Sequence, residues 1–154
     1  MRLERTERYR LHASASSCSV VAPTGAHNFV EPATLRFPKL YIASRAGVPI
    51  YVGITSQSMS SRLRSGLRAS GQHGYYGYRW RGQTNLDLDI WYLDDAPPAE
   101  ARAELECIEA EVVFLTRQTF EQWPEFQTEI HFHASKKFHR EAAAPIFAHL
   151  KRQA

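Results

Sequence analysis

The chain has 154 residues, 44% hydrophobic and 12% aromatic, enough for one domain with a real core and too apolar for global disorder. No apolar run approaches the roughly 18 to 20 residues that span a bilayer, and the charged start, with Glu4 and Glu7, fits neither a secretory signal nor a transit peptide. The net charge is +3, and the two cysteines, Cys18 and Cys107, make no disulfide framework or metal cluster, so a reduced, cytoplasmic setting without membrane partners is expected.

Residues 1–36 mix Arg and Glu, then Ser, Ala, Gly and Pro, without a sustained period. They read as a partly ordered N-terminal extension. From Lys39 to Gly53, two short runs rich in apolar, aromatic and β-branched residues flank Arg45-Ala46-Gly47-Val48-Pro49, the pattern of a β-hairpin. Each run carries one tyrosine, Tyr41 and Tyr51, and a suitable register brings them to one face. Gly53 follows where the backbone turns or lets a ligand approach.

Thr55 to Ser58 offer N-caps for a helix reaching Arg68, whose buried stripe is Met59, Leu63 and Leu67. Arg62 sits one position from that stripe, and Arg64 and Arg68 line a second, basic face. Residues 70–82 contain four glycines among alternating aromatic and basic residues, a loop able to stack on bases while touching phosphates. Leu86 to Leu93 alternates as a third strand. A long helix is expected from Ala99 to Gln118, with Leu105, Ile108, Val112 and Leu115 buried. Glu111, next to Val112, is placed at the margin of that stripe and Glu109 farther out. A carboxylate on such a boundary is costly to desolvate alone, so a cation is its natural partner.

Trp123 to Gln127 ends this unit and is expected to close over the sheet. Glu129, His131 and His133 alternate as if on one strand face, but no fourth ligand at suitable spacing makes a zinc site. A last helix, His139 to Lys151, packs Ile146, Phe147 and Leu150. The division is therefore 1–36 extension, 37–134 main domain and 135–154 accessory helix.

Charge follows the same order. Pro32 to Leu86 contains no Asp or Glu but holds Arg36, Lys39, Arg45, Arg62, Arg64, Arg68, Arg79 and Arg81. Asp87 to Glu129 is rich in carboxylates, with only Arg102 and Arg117 to offset them. Such polarity suits a polyanion on the cationic part and leaves acidic residues free for a metal.

The order of parts resembles the GIY-YIG nuclease family over residues 37 to 132. Lys39-Leu40-Tyr41 stands in the place of the first motif, and Tyr51-Val52-Gly53 in that of the second. Arg62 matches the arginine of the first helix, and Glu111 the glutamate of the later one. Pro124-Glu125-Phe126-Gln127 is similar to the closing Pro-x-aromatic-Asn segment. Gly66 stands where His or Tyr is common, with His73 or a tyrosine of the following loop available as a substitute; Gln127 stands in place of Asn.

The resemblance implies an α/β fold of the α+β type, a small, mainly antiparallel three-stranded sheet with flanking helices. It also implies a metal-dependent endonuclease acting on DNA rather than RNA. Catalytic roles fall to Tyr41, Tyr51, Arg62, His73 and Glu111. Tyr41 is the expected general base, aided by positive charge from Arg62, Lys39 or the metal, because a phenol is otherwise protonated at neutral pH. Glu111 would hold one Mg²⁺ or Mn²⁺. Gly53, Arg64, Arg68, Arg79 and Gln127 would contact substrate. Specificity would come from the loops, the termini, a homodimer mate or a separate partner. The alternative is a nucleic-acid-binding module that keeps the scaffold without turnover.

Overall fold

Alternating strand patterns and two strongly amphipathic helices lead to a mixed α+β architecture, seen in a computed structural model that describes residues 1–152. Six antiparallel strands form one open sheet: β1 (Arg2–Arg5), β2 (Tyr9–Ala13), β3 (Cys18–Val21), β4 (Lys39–Arg45), β5 (Val48–Thr55) and β6 (Leu86–Asp94). Three helices complete it: α1 (Met59–Arg68), α2 (Pro98–Phe120) and α3 (Lys137–Lys151). No helix among the described residues is long and apolar enough to cross a membrane.

The expected hairpin is β4–β5, closed by Ala46 and Gly47 at φ 50° and 76°. Two consecutive positive φ values match the right-handed strand twist, and glycine accepts one at little cost. Tyr41 pairs with Gly53 and Ala43 with Tyr51, so both tyrosines share a face. The third strand, β6, pairs with β4.

The sheet is larger than the three strands expected. Residues 1–36 supply three more strands, because short alternating segments such as Tyr9-Arg10-Leu11-His12-Ala13 hide a buried face inside a charged sequence. Strands β1 and β2 lie end to end along the same edge of β6. Where they part, Arg8 donates two hydrogen bonds to Asp89, at 3.1 and 2.6 Å. Asp89 is wholly buried. Arg5 stands 3.6 Å from it, and His149 of α3 lies 3.3 Å away. Extension, central strand and last helix are thus tied through one buried carboxylate.

Burial holds the His149 pKa below its usual value, aided by Arg5 and Arg8 and opposed by Asp89. The native state therefore binds fewer protons here than the unfolded chain, and stability falls as pH drops below about 6.5. His149→Gln is expected to flatten that acid limb in chemical denaturation between pH 7 and pH 5.

Side chains divide between the two sheet faces. Tyr41, Ala43, Leu88 and Ile90 meet α1 and the aromatic loop, whereas Leu40, Ile42, Val52, Trp91 and Leu93 meet α2 and α3. Ser58 caps α1, its hydroxyl accepting from Ser61 N. Residues 129–133 form no strand, so the expected shared face of Glu129, His131 and His133 is absent. His131 instead pairs with Glu129 and His133 with Glu106.

Candidate active site

Strand β5 is an edge of the sheet, and the layers on its two faces meet around it. A cleft of about 480 Å³ opens there, lined among others by Tyr51, Gly53, Arg62, Tyr75, Arg79, Glu109 and Gln127. Five of the expected site residues therefore share one cleft: Tyr51, Gly53, Arg62, Arg79 and Gln127.

Four aromatic rings support its floor. Tyr41 and Tyr51 have ring centroids 5.9 Å apart, and Tyr78 lies edge-on to both while stacking on Trp80 at 4.4 Å. Gly53 is needed in this layer, since a Cβ there would stand 2.7 Å from Tyr51 and 2.8 Å from the Tyr41 hydroxyl. Backbone conformation is not the constraint at this glycine. Space is.

Tyr41 is 0% exposed. Its hydroxyl accepts from Arg62 Nε at 3.0 Å and exchanges a hydrogen bond with the Tyr78 hydroxyl at 2.8 Å. Burial, chiefly, pushes its pKa well above the ordinary phenol value, and the Arg62 charge only partly opposes this. Such a phenol is out of reach of bulk water, and what its contacts show is an anchor for the Arg62 guanidinium. Tyr51, half-buried, is the phenol on the cleft wall; burial raises its pKa too.

Lys39 offers Tyr41 no help either. Its side chain is buried, and Nζ donates to the carbonyls of Leu35, Phe37 and Gln57 at 2.8, 2.9 and 2.8 Å. Burial lowers its pKa to about 8, while these bonds occupy all three ammonium protons. Lys39 is a loop clamp.

Arg62 is held from three sides. Besides the Tyr41 bond, its guanidinium carbon lies 5.6 Å from the Tyr75 ring centroid and 5.3 Å from that of Tyr78. Burial works against its charge. A guanidinium is nonetheless basic enough to stay protonated at neutral pH without help from its neutral phenol neighbours, and its bond to the Tyr41 hydroxyl favours the charged form. Only Nε is hydrogen-bonded among the described residues, so the Nη groups remain available to an anion. A planar fork left free in this way can pair with an oxyanion.

The glutamate on the cleft is not the one expected to hold the metal. Glu111 is half-buried and does not line the cleft; Glu109 does, and is 7% exposed. Measured from the mean direction of Leu105, Ile108, Val112 and Leu115, Glu109 and Glu111 both lie roughly 80° away, to opposite sides. The Glu109 side faces β5 and the cleft. Burial raises the Glu109 pKa to about 8, with Glu106 and Glu129 adding to the rise and Arg102 opposing it. No hydrogen bond contributes to that balance. A buried carboxylate without a fixed partner, beside other carboxylates, fits a divalent cation whose remaining positions are filled by water and substrate oxygens. Among the described residues, no three His, Cys, Asp or Glu side chains gather closely enough to hold a metal by themselves.

His73 lies outside the cleft, exposed in a separate hollow with Ser65 and Arg68. The polar group missing at Gly66 comes from Tyr78 instead. A Cβ on Gly66 would fall 2.1 Å from the Tyr78 ring, so the absent side chain is the space that Tyr78 fills. Tyr78 N also donates to Gly66 O at 2.8 Å. Nothing in the local sequence distinguishes Tyr78 from its neighbours except its place between Gly77, at φ 73°, and Trp80.

Gln127 acts as a strap. Its Oε1 accepts from Val52 N at 2.9 Å and its Nε2 donates to Val52 O at 3.0 Å. Together with Phe126 N donating to Ile50 O, this caps the β5 edge as the closing segment was expected to do. The amide is therefore committed to the protein rather than to substrate. Arg64 and Arg68 border another hollow, of about 390 Å³, with Ser17, Cys18 and Asn28, and do not reach the cleft. Comparison of the chain with protein-family models, curated proteins and solved structures finds no match.

Proposed function

We propose that the protein is a metal-dependent endonuclease that hydrolyses phosphodiester bonds in DNA, with a site of the GIY-YIG type. The observation that carries this reading is the meeting of an available guanidinium, Arg62, and an unpartnered buried carboxylate, Glu109, on one cleft beside Tyr51. Arg62 Nη groups take the non-bridging oxygens of the scissile phosphate, and Arg79 adds charge along the strand. Tyr41 and Tyr78 hold Arg62 in place. Tyr51 keeps its proton and orients the attacking water. Glu109 would hold the Mg²⁺ or Mn²⁺, which supplies Lewis-acid charge at the phosphate and acidifies nearby water.

One observation favours the second reading, a nucleic-acid-binding module without turnover: both motif phenols are held protonated by burial. Incubation of purified protein with plasmid and short oligonucleotides, in Mg²⁺, Mn²⁺ or EDTA, separates the two. Nicking that EDTA stops supports the enzyme. Salt-dependent retention with no cutting in either metal supports the binder. Tyr41→Phe is expected to slow cleavage about ten-fold while binding persists, because Arg62 loses its anchor and not its charge. Unchanged single-turnover rates would reject that positioning role.

A further inference from the structure

Two separate segments bring exposed aromatic rings to the cleft and to the hollow that adjoins it. The loop after α1 contributes Tyr75 and Tyr76, 41% and 71% exposed. A Cβ on Gly71 would stand 2.7 Å from the Tyr76 ring, so that ring is propped against backbone while most of it meets solvent. A hollow of about 310 Å³ shares Gln127, Thr128 and Glu129 with the cleft and extends it to Trp123 and Phe132. Those two rings are 48% and 73% exposed. Half of the large exposed apolar side chains among the described residues thus border one trough, an arrangement that marks a binding surface rather than scatter.

We propose that this trough binds a single strand of DNA. Bases on one side of the scissile phosphate stack on Tyr75 and Tyr76, and bases on the other side on Trp123 and Phe132. The inference deepens the nuclease reading and rests on it. In a duplex the bases already stack on each other and hide their faces, so exposed rings gain little from it; an unpaired strand offers every face. Arg62, against the Tyr75 ring, and Arg79 line the same cleft and supply positive charge for the backbone. Stacking of this kind tolerates any base, so weak sequence preference follows.

Trp80 and Trp91 are 0% and 7% exposed, which leaves Trp123 as the one tryptophan a base can reach. In EDTA, a thymidine oligonucleotide of about 15 nucleotides is expected to quench tryptophan emission and to bind about ten-fold more tightly than a duplex of equal length. Trp123→Phe should abolish the quenching yet retain affinity within about two-fold, and Trp123→Ala should weaken binding about ten-fold. Duplex binding as tight as single-strand binding, or quenching that survives in Trp123→Phe, overturns the proposal. EDTA makes this readout independent of turnover. Metal-dependent cutting of duplex without quenching would remove the stacking trough and leave the nuclease. Quenching and tight binding with no cutting in Mg²⁺ or Mn²⁺ would remove the nuclease and leave the strand-binding trough.

Discussion

Glu109→Gln is expected to lower metal-dependent cleavage about a thousand-fold, while Glu111→Gln stays within about three-fold of the unmodified protein. The two positions are on the same helix and differ in what they face: Glu109 lines the cleft and Glu111 does not. Gln keeps the size and polarity of Glu but cannot neutralise a divalent cation, so the comparison isolates charge at one place.

Stability should change in the opposite direction. With its pKa raised to about 8, native Glu109 binds more protons than the unfolded chain across the interval from 4.5 to 8. Wild-type stability therefore falls as pH rises through that window, and the cost of the buried charge is fully present above it. The Gln variant lacks this cost. Denaturant titrations in EDTA at pH 9 should find it more stable than wild type by about 1 to 3 kcal/mol, with the difference vanishing near pH 4. Equal stability at both pH values would mean that Glu109 is solvated, and its candidacy as a cation ligand would weaken accordingly.

The second large effect is steric. Gly66→Ala puts a methyl group within 2.1, 2.4 and 2.6 Å of three atoms of the Tyr78 ring. That ring cannot retreat easily: it stacks on Trp80, its hydroxyl bonds Tyr41, and its backbone nitrogen bonds Gly66 itself. Gly77 leaves no slack, since a Cβ there would meet Gly66 O at 2.0 Å. The loop is held as well by Arg81, which donates to the carbonyls of Ala69, Tyr76 and Tyr78. Overpacking of this kind is expected to cost about 3 kcal/mol, or about 10 °C in Tm. It should also slow cleavage, because displacing Tyr78 disturbs the support of Arg62. In the Gly66→Ala/Tyr78→Ala double variant the two losses should be less than additive, since the second change removes the ring that the first one strikes. Strict additivity would show that Gly66 and Tyr78 do not share this space.

What could be read from the residues alone was the part governed by short-range rules. The β4–β5 hairpin, the Ser58 cap and the α1 stripe each depend on turn chemistry or periodicity within about a dozen residues, whereas the strap after Trp123 bonds Val52, 75 residues away, and was legible only through the resemblance. The N-terminal strands were not legible because their alternation is short and masked by charge, and their pairing with β6 lies some eighty residues away in sequence. The choice between Glu109 and Glu111 was not legible, because the stripe of Leu105, Ile108, Val112 and Leu115 leaves both about equally far from its centre, roughly 80° to either side. Which of them meets the cleft depends on what packs against each margin. Tyr78 was hidden for another reason. Its position depends on a gap at Gly66, and a missing side chain becomes informative only when something is seen to occupy the space.

Burial of Tyr41 could not be inferred from hairpin alternation. That pattern assigns a face, whereas exposure depends on what covers the face, here α1 and the loop carrying Tyr78. The consequence is chemical. The phenol expected to serve as base is buried, with its hydroxyl bonded to a guanidinium.

A crystal structure with Mn²⁺ and a phosphorothioate oligonucleotide tests the account most directly, because anomalous scattering locates the ion and density locates the phosphate. The expected result is Mn²⁺ on the Glu109 carboxylate and a backbone phosphate on the Arg62 Nη groups within the same cleft. Mn²⁺ on Glu111, or the strand bound instead across Arg64 and Arg68 in the other hollow, would contradict it.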